Sequence, residues 1–301
     1  MTDPSAGKPE NTLHVIEASS TVRLELDNRP ESPALVRAAL SGVAERLRLD
    51  AELSDDLRIA VTEACNNVVL HAYDGKPGPL VVDLEIQPTS IEVMIRDWGG
   101  GIKQLGSQRD QRMGVGLAVM SSLADRAEFS SAPDGGTEVR LVFSGEGLGI
   151  QPLEQPLDAD LAAETPVRLF GDMVATLAPV ELLEGVLGRV AIAVGARAHF
   201  SVDGLSDIRL VTDAVAAIAK GAASGVAMTF GVVARSRRLE LTLGPVQAGS
   251  GASLHGHQAD GLFDQPGTQL ALLLGEVSTV PVDGFELLRV VVEERGPAPA
   301  G

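Results

Sequence analysis

Apolar residues recur every three or four positions between residues 57 and 73, a spacing that predicts a helix with one buried face. The apolar positions that fall together at about 100° per residue are Leu57, Val61, Ala64 and Val68. Ser54 is the predicted N-cap, and Asp55 and Asp56 follow in the first turn, where the helix dipole favours negative charge. Because no Gly or Pro occurs before Gly75, we expect the helix to continue to Tyr73.

A polar stripe lies beside this apolar face. Glu63, Asn67 and His71 follow one another at intervals of four, on a stripe that also holds Ile59 and Leu70. A buried carboxylate or carboxamide costs about 1–3 kcal/mol or more unless it has a partner. The partners could be backbone groups, or a magnesium ion with a phosphate chain, and the helix alone leaves both open.

The rest of the first half alternates between strand and helix patterns. Strands show alternate hydrophobic positions, and helices show a three-to-four spacing after a start signal. The predicted elements are, in order, one or two strands within 13–27, a helix from Ser32-Pro33 to about Arg48, the helix described above, an antiparallel hairpin of 80–86 and 91–96, a helix opened by Gly114-Val115-Gly116, and a hairpin of 128–131 and 137–143.

Composition narrows the class of protein. The 301 residues carry a formal net charge of -17, which argues against nucleic acid as a direct partner. The single cysteine, Cys65, excludes an internal disulfide, and a reducing cytoplasm is the expected compartment. Neither a run of about 18 apolar residues nor an apolar signal core in residues 1–11 is present, so we expect no membrane insertion and no secretion.

Three glycine motifs could bind a nucleotide. Asp97-Trp98-Gly99-Gly100-Gly101 follows a predicted strand, and an ionised Asp97 could accept a hydrogen bond from the exocyclic amine of adenine. Gly114-Val115-Gly116 at a helix N-terminus would offer backbone amides to phosphate oxygens. Gly135-Gly136-Thr137 precedes a strand. Each motif taken alone is more often an ordinary turn or helix entry.

The order of these motifs resembles a known ATPase fold. Glu63 with Asn67 on a helix, followed by the three glycine motifs, is similar to the N box and three glycine boxes shared by gyrase, histidine kinases and MutL. The segment TEACNNVVLHAY and the short length of the domain, from Leu13 to Phe143, look most like the anti-sigma-factor serine/threonine kinases of the RsbW type. The resemblance implies the GHKL ATPase fold, an α/β (α+β) two-layer sandwich with a mixed, mostly antiparallel sheet and helices on one face.

The resemblance also implies a function. Members of that family bind ATP and Mg²⁺, sequester a sigma factor and phosphorylate a STAS-domain anti-sigma antagonist, usually as homodimers. The alternatives are a non-catalytic, ATP-gated protein-binding regulator and a purely structural regulator that binds no ATP.

Individual roles follow from matching positions in the family. Glu63 matches the general base, Asn67 the magnesium ligand and Asp97 the residue that reads adenine. Arg112 matches an arginine of the lid that can approach either the phosphates or the partner protein. The remaining positions expected to line the ATP site are Gly99, Gly101, Ile102, Gly114, Val115, Gly116, Leu117 and Thr137.

The second half of the chain resembles the first. Val22-Arg23-Leu24 recurs as Val167-Arg168-Leu169, and Val61-Thr62-Glu63-Ala64 recurs as Val211-Thr212-Asp213-Ala214. Gly284 echoes the third glycine motif. The predicted organisation is a disordered start (1–12), an ATP-binding domain (13–145), a linker (146–165), a degenerate ATPase-like domain (166–295) and a disordered end (296–301).

The second copy is expected to bind no ATP. Ala217 stands where Asn67 stood in this alignment, and Pro245 or Gly244 replaces Asp97. We expect it to replace a second subunit in a pseudo-dimer, or to provide a docking surface, while a homodimer through the first domain remains the other possibility. The cluster His255, His257, Asp260 and Asp264 could suggest a metal site, but the Gly and Ser residues around it favour a solvated loop.

Overall fold

Ten strands of the described residues form one sheet, and the first of them, Ser20–Asp27, lies near its centre. The computed structural model describes residues 19–101, 110–132, 134–144, 168–250, 276–282 and 284–294, and of residues 110–114 it describes the backbone. The first half contains β1 (Ser20–Asp27), α1 (Ser32–Arg46), α2 (Ala51–Asn67), a π-helical turn (Val68–Ala72), β2 (Pro79–Gln87), β3 (Ser90–Asp97), α3 (Asp110–Leu123), β4 (Arg126–Ser131) and β5 (Thr137–Ser144).

The second half repeats the strands and the first two helices of the first half in order, and residues 251–275, where a counterpart of α3 would fall, lie outside the described residues. It contains β6 (Met173–Ala178), a short 3-10 turn (Val180–Leu182), α4 (Leu183–Arg197), α5 (Val202–Gly221), β7 (Met228–Arg235), β8 (Arg238–Gln247), β9 (Glu276–Val282) and β10 (Phe285–Glu293). The cluster proposed as a solvated loop, around His255, lies outside the described residues. The tandem repeat and the hairpins predicted from the sequence are confirmed.

The strand order is symmetric about the junction of the two repeats. It reads β4-β5-β3-β2-β1-β6-β7-β8-β10-β9, so the two halves meet where β1 pairs with β6. Each ladder between described strands is antiparallel, rather than mostly so as expected of a mixed sheet. Antiparallel pairing throughout follows from a fold built of hairpins and one symmetric junction.

The helices cover one face of this sheet. Along β1, the side chains of Val22, Leu24 and Leu26 are buried, while the alternate positions are partly or fully exposed. Helix α1 packs between α2 and α4, and the buried side chains of both halves form one continuous core. The expected two-layer sandwich is therefore confirmed, and among the described residues no helix is long and apolar enough to cross a bilayer.

The burial pattern fixes how the two repeats align. Asp50 caps α2 by accepting a hydrogen bond from the Leu53 amide (2.9 Å), and Ser201 caps α5 by accepting one from the Gly204 amide (3.1 Å). These caps lie 151 positions apart, and the same offset carries every buried residue of α2 onto a buried residue of α5. At this offset Leu24 corresponds to Ala175, the residue it pairs with, so the pseudo-twofold axis passes through that pair.

This alignment corrects the sequence matching by one residue. Asp213 corresponds to Thr62, so the counterparts of Glu63 and Asn67 are Ala214 and Ile218 rather than Asp213 and Ala217. A four-residue identity is a weaker guide to register than the buried face of a whole helix.

The other matched segment was also misplaced. Strand β6 begins at Met173, so Arg168 and Leu169 precede it and are not equivalent to β1. The counterpart of Val22 at the common offset is Met173, which is buried like Val22.

Two helices begin at other residues than the sequence predicts. Helix α2 begins at Ala51, one turn before Ser54, because the Asp50 carboxylate caps it and Leu53 is already buried inside the helix. Helix α3 begins at Asp110, so Gly114-Val115-Gly116 lies within the helix and not at its start.

Two glycines set the spacing of α1 and α4 at the junction. A Cβ added to Gly185 would lie 2.5 Å from the Gly42 carbonyl oxygen, and one added to Gly42 would overlap the Gly185 carbonyl. Ion pairs surround this contact, including Glu45 with Arg189 and Arg46 with Glu184 (3.3 Å). Each partly exposed pair contributes little, so the close backbone approach is the stronger constraint.

Replacing Gly185 with Ala should destabilise the whole chain. The added methyl group must separate α1 from α4, and overpacking of this kind costs about 1–3 kcal/mol, measured as the free energy of unfolding in urea. Gly221→Ala is the matched control, since nothing lies within 4 Å of a Cβ at that helix end. Equal stability of Gly185→Ala and Gly221→Ala would contradict the close-packed junction.

Candidate nucleotide-binding site

Glu63 and Asn67 lie one turn apart on α2 and face the glycine of α3. A Cβ built on Gly116 would lie 3.4 Å from Glu63 Oε2, and 3.5 Å and 3.6 Å from Asn67 Nδ2 and Oδ1. Both polar side chains are partly buried. The glycine therefore leaves space directly beside a carboxylate and a carboxamide, where a larger residue would fill it.

Asp97 ends β3 with its side chain toward the helix layer. Its side of the strand also carries Ile91, Val93 and Ile95, and Asp97 itself is only 2% exposed. Its Oδ1 accepts hydrogen bonds from the backbone amides of Gly99 (2.8 Å) and Thr137 (3.2 Å).

This arrangement leaves one carboxylate oxygen available. Both hydrogen bonds that described residues donate to Asp97 end on Oδ1, so Oδ2 receives none from that part of the chain. A buried carboxylate needs further donors, and an amine of a bound base would supply one.

Glycines allow the loops around Asp97 to stack closely. A Cβ on Gly99 would overlap the Ala72 carbonyl, and one on Gly136 would overlap the Asp97 carbonyl. Gly136 has a φ of +89° and Gly101 a φ of +69°, values that L-residues with a Cβ rarely adopt. The end of α2, the loop after β3 and the hairpin between β4 and β5 thus form one layered wall.

The end of α2 departs from the predicted regular helix. It changes at Val68 into a single π-helical turn that contains His71, and π-turns inside helices are frequent at functional sites. His71 is partly buried on this turn. A turn widened by one residue leaves no distinct hydrophobic pattern, so the sequence did not reveal it.

The structure brings the predicted residues together as two groups. Glu63 and Asn67 meet Gly116, with Val115 and Leu117 beside it, and Asp97 meets Gly99 and the Thr137 backbone. Gly101 lies in the same loop, where an added Cβ would be 3.4 Å from the Gly136 carbonyl oxygen. Ile102 lies outside the described residues, and the side chain of Arg112 is not among those described. Gly114 is placed only as part of α3.

The position of the phosphate-binding motif differs from the expectation. Because α3 begins at Asp110, the amides of Gly114 and Gly116 lie beyond its first four residues, which are the ones left without helical acceptors. The observed contribution of Gly116 is the space it leaves beside Glu63 and Asn67.

Three residues that the sequence did not assign to the site contact one another beside the loop that follows Asp97. Trp98 Nε1 donates a hydrogen bond to Asp134 Oδ2 (3.1 Å), and the Arg96 guanidinium lies 5.0 Å from the centre of the indole ring. The hydrogen bond from Trp98, followed by that from Arg96, holds the pKa of Asp134 below its usual value. These contacts join segments far apart in sequence, so periodicity could not find them.

The second repeat lacks the polar groups of the site. Its counterparts of Glu63, Asn67 and Asp97 are Ala214, Ile218 and Pro245, the last from the pairing of β7 with β8. Among the described residues, no group of three His, Cys, Asp or Glu side chains is placed to hold a metal. Magnesium is commonly held by few protein oxygens together with phosphate, which Asn67 would suit.

Fold and site together define a class of protein. The family model described as the histidine kinase-like ATPase domain matches residues 26–143, the segment that contains the polar pair on α2, the buried aspartate at the end of β3 and the glycine-rich loops around them.

Individual relatives narrow the family. A serine-protein kinase RsbW of Bacillus pumilus is 32% identical over 131 residues, covering 38% of this chain and 81% of that protein. An anti-sigma F factor of Caldanaerobacter subterraneus is 27% identical over 135 residues, covering 42% of this chain and 94% of that protein. The chain belongs to the RsbW family of histidine kinase-like ATPase proteins.

A solved structure gives a weaker likeness. The crystal structure of the RsbU and RsbW domains of Rv1364c from Mycobacterium tuberculosis covers 41% of this chain and 31% of its own, at 22% identity and a TM-score of 0.33. A likeness at that level carries no argument about function.

Asp97→Asn should weaken binding of Mg-ATP without unfolding the site. The amide oxygen can still accept from Gly99 and Thr137, but the NH₂ group that replaces Oδ2 is a donor facing the donor of adenine. Hydrogen bonds to charged groups are worth about 1.5–3 kcal/mol, so the dissociation constant should rise by about 10- to 150-fold in isothermal titration.

Asp83→Asn is the control, because Asp83 pairs with Arg23 on the opposite face of the sheet. Indistinguishable heats for wild type and Asp97→Asn would remove the assignment of Asp97 as the adenine acceptor.

Proposed function

We propose that the chain is an ATP- and Mg²⁺-dependent serine/threonine protein kinase that phosphorylates a STAS-domain anti-sigma antagonist and sequesters a sigma factor. The observation that carries the proposal is the meeting of Glu63 and Asn67 with Gly116, in the same repeat as the buried Asp97. The names of its relatives, serine-protein kinase and anti-sigma F factor, support the same family of activities.

The residues divide the chemistry among them. Asp97 Oδ2 accepts the exocyclic amine of adenine, which fixes one end of the nucleotide in the site. The Asn67 side-chain oxygen is a suitable ligand for Mg²⁺, and the phosphates are proposed to bind where Asn67 and Glu63 face Gly116. When bound, the metal neutralises charge on the phosphoryl group.

Glu63 is the proposed general base. Its carboxylate borders the same space as Asn67, so it can accept the proton of an attacking serine or threonine hydroxyl. Phosphoryl transfer depends mostly on positioning and charge neutralisation, so one base and one metal ligand on adjacent turns of a helix are sufficient.

The second repeat is proposed to replace a second subunit. Its β6 extends the sheet of the first repeat, and its α4 covers α1, so the junction has the form of a symmetric dimer interface within one chain. Its counterparts of the site residues are apolar, so only the first repeat is proposed to bind ATP.

The junction favours the second repeat over another copy of the first. The counterpart of Gly185 is Ala34, whose Cβ would stand 2.5 Å from the Gly42 carbonyl oxygen in the same geometry. The counterpart of Arg189 is Ala38, which could not pair with Glu45. A homodimer through this face would therefore lose an ion pair and gain a steric overlap.

A second candidate function, an ATP-gated regulator without catalysis, predicts the same nucleotide binding. The two differ at Glu63, because only the kinase needs a base there.

Glu63→Gln should abolish transfer and retain binding. General-base catalysis contributes about 10²- to 10⁴-fold, so radiolabelled transfer from ATP should fall by that factor, while the dissociation constant of Mg-ATP stays within about threefold. The acceptor is the STAS-domain protein recovered by pull-down with the ATP-loaded chain. Asp213→Asn, an acid-to-amide change on α5, should leave both quantities unchanged. Full transfer by Glu63→Gln would contradict the role of Glu63 as the general base. ATP binding without any transfer by the wild type would contradict the kinase proposal and favour the regulator.

A further inference from the structure

A single hydroxyl joins the end of α2 to the loop that carries Asp97. Tyr73 follows the π-helical turn directly, and its phenol oxygen donates a hydrogen bond to the Pro79 carbonyl (2.5 Å). The same oxygen accepts a hydrogen bond from the backbone amide of Trp98 (2.8 Å), the residue after Asp97. Tyr73 thus connects the helix of Glu63 and Asn67, the start of β2 and the end of β3.

The phenol ring of Tyr73 packs directly against the backbone of Gly78. A Cβ on Gly78 would overlap the ring, so glycine at that position leaves room for Tyr73. Burial, with a contribution from nearby Asp97, raises the pKa of Tyr73 even though the Trp98 hydrogen bond opposes the rise. The hydroxyl is therefore protonated at neutral pH and can donate to Pro79 while accepting from Trp98.

A backbone contact runs beside the phenol. The Gly100 amide donates to the Ala72 carbonyl (2.7 Å), and Gly99 packs against the same carbonyl. The loop after Asp97 is therefore held by the end of α2 at two points, one made by the main chain and one made by the Tyr73 side chain.

A comparison with the second repeat shows which of these contacts belong to the shared scaffold and which accompany the polar site. In the second repeat the backbone amide of Gln247 donates to the Ala222 carbonyl (2.7 Å). This hydrogen bond joins a helix end to a strand end, as the one from Gly100 to Ala72 does in the first repeat. Helix α5, however, continues as an α-helix to Gly221, and Tyr73 is the only tyrosine in the sequence. The backbone contact is common to both repeats, whereas the π-turn and the phenol belong to the repeat that has the polar site.

We propose that Tyr73 is a positioning residue for ATP, which fixes the adenine-reading loop of Asp97 relative to Glu63 and Asn67. This inference rests on the proposed binding of ATP, but not on kinase activity. Without the phenol hydroxyl, the end of α2 holds the loop by its main-chain contact and no longer by a side chain, so the Asp97 carboxylate is less ordered when adenine binds.

Tyr73→Phe in the full chain tests the inference, since it keeps the ring and removes both hydrogen bonds. Both hydrogen bonds lie within the protein, so their loss acts on ATP affinity through the order of the loop, with their summed strength as the upper bound. We expect a rise of about 5-fold, and at most about 100-fold, in the Mg-ATP dissociation constant by isothermal titration. The KM for ATP should rise by a similar factor, with kcat at saturating ATP within about twofold, because Glu63 and Asn67 are untouched.

Thr212→Val is the matched control, because it removes a hydroxyl that donates to the Ile208 carbonyl (2.8 Å) in the second repeat. It should change the free energy of unfolding in urea without changing ATP affinity. Equal affinity of wild type and Tyr73→Phe would overturn the inference and leave the proposed function intact. Failure of wild type to bind Mg-ATP would overturn both, and the Thr212→Val result separates a general loss of stability from a loss of positioning.

Discussion

The pairing of β1 with β6 is the constraint on which the rest of the structure depends. Each strand would otherwise be the exposed edge of its own sheet, with a row of unpaired amides and carbonyls. Their antiparallel ladder satisfies those groups, and the packing of α1 on α4 buries the helix faces above it. The second repeat is therefore part of the fold of the first, whether or not it binds a ligand of its own.

The two repeats share one scaffold and differ in the polar residues of the candidate site. Both begin their second helix with a capped turn and bury the same face of it. Glu63 and Asn67 carry a desolvation cost that a nucleotide and a metal ion would offset, whereas Ala214 and Ile218 carry none. A repeat that binds no nucleotide would gain nothing from the polar pair, and within the described part of the second repeat α5 ends without a π-turn or a tyrosine.

Much of the fold could be predicted from periodicity. The buried faces of α1 and α2 and the two hairpins of the first repeat follow directly from the spacing of residues such as Leu57 and Val61. The cap was misplaced because Asp50 and Ser54 are both good capping residues, and burial of Leu53 decides between them. The register of the second repeat was missed because a local identity around Asp213 outweighed the periodicity of the whole helix.

The residues of the candidate site were predicted from the sequence, whereas the contacts between its segments were not. The order of the motifs indicated Glu63, Asn67 and Asp97. The structure places all three in the first repeat, two on α2 and one at the end of β3. The contact of Tyr73 with Trp98 joins residues 25 positions apart through a turn that has no sequence pattern. Contacts of this kind depend on how the layers stack, which the sequence of each element does not specify.

The central claim is that one chain is a complete pseudo-dimer with one nucleotide site. Its most direct test is the stoichiometry of Mg-ATP binding by isothermal titration, on a sample whose molar mass is measured by light scattering. The account predicts one nucleotide per chain at a mass of 31.3 kDa. Two nucleotides per chain, or a stable dimer of chains joined through the first repeat, would contradict it.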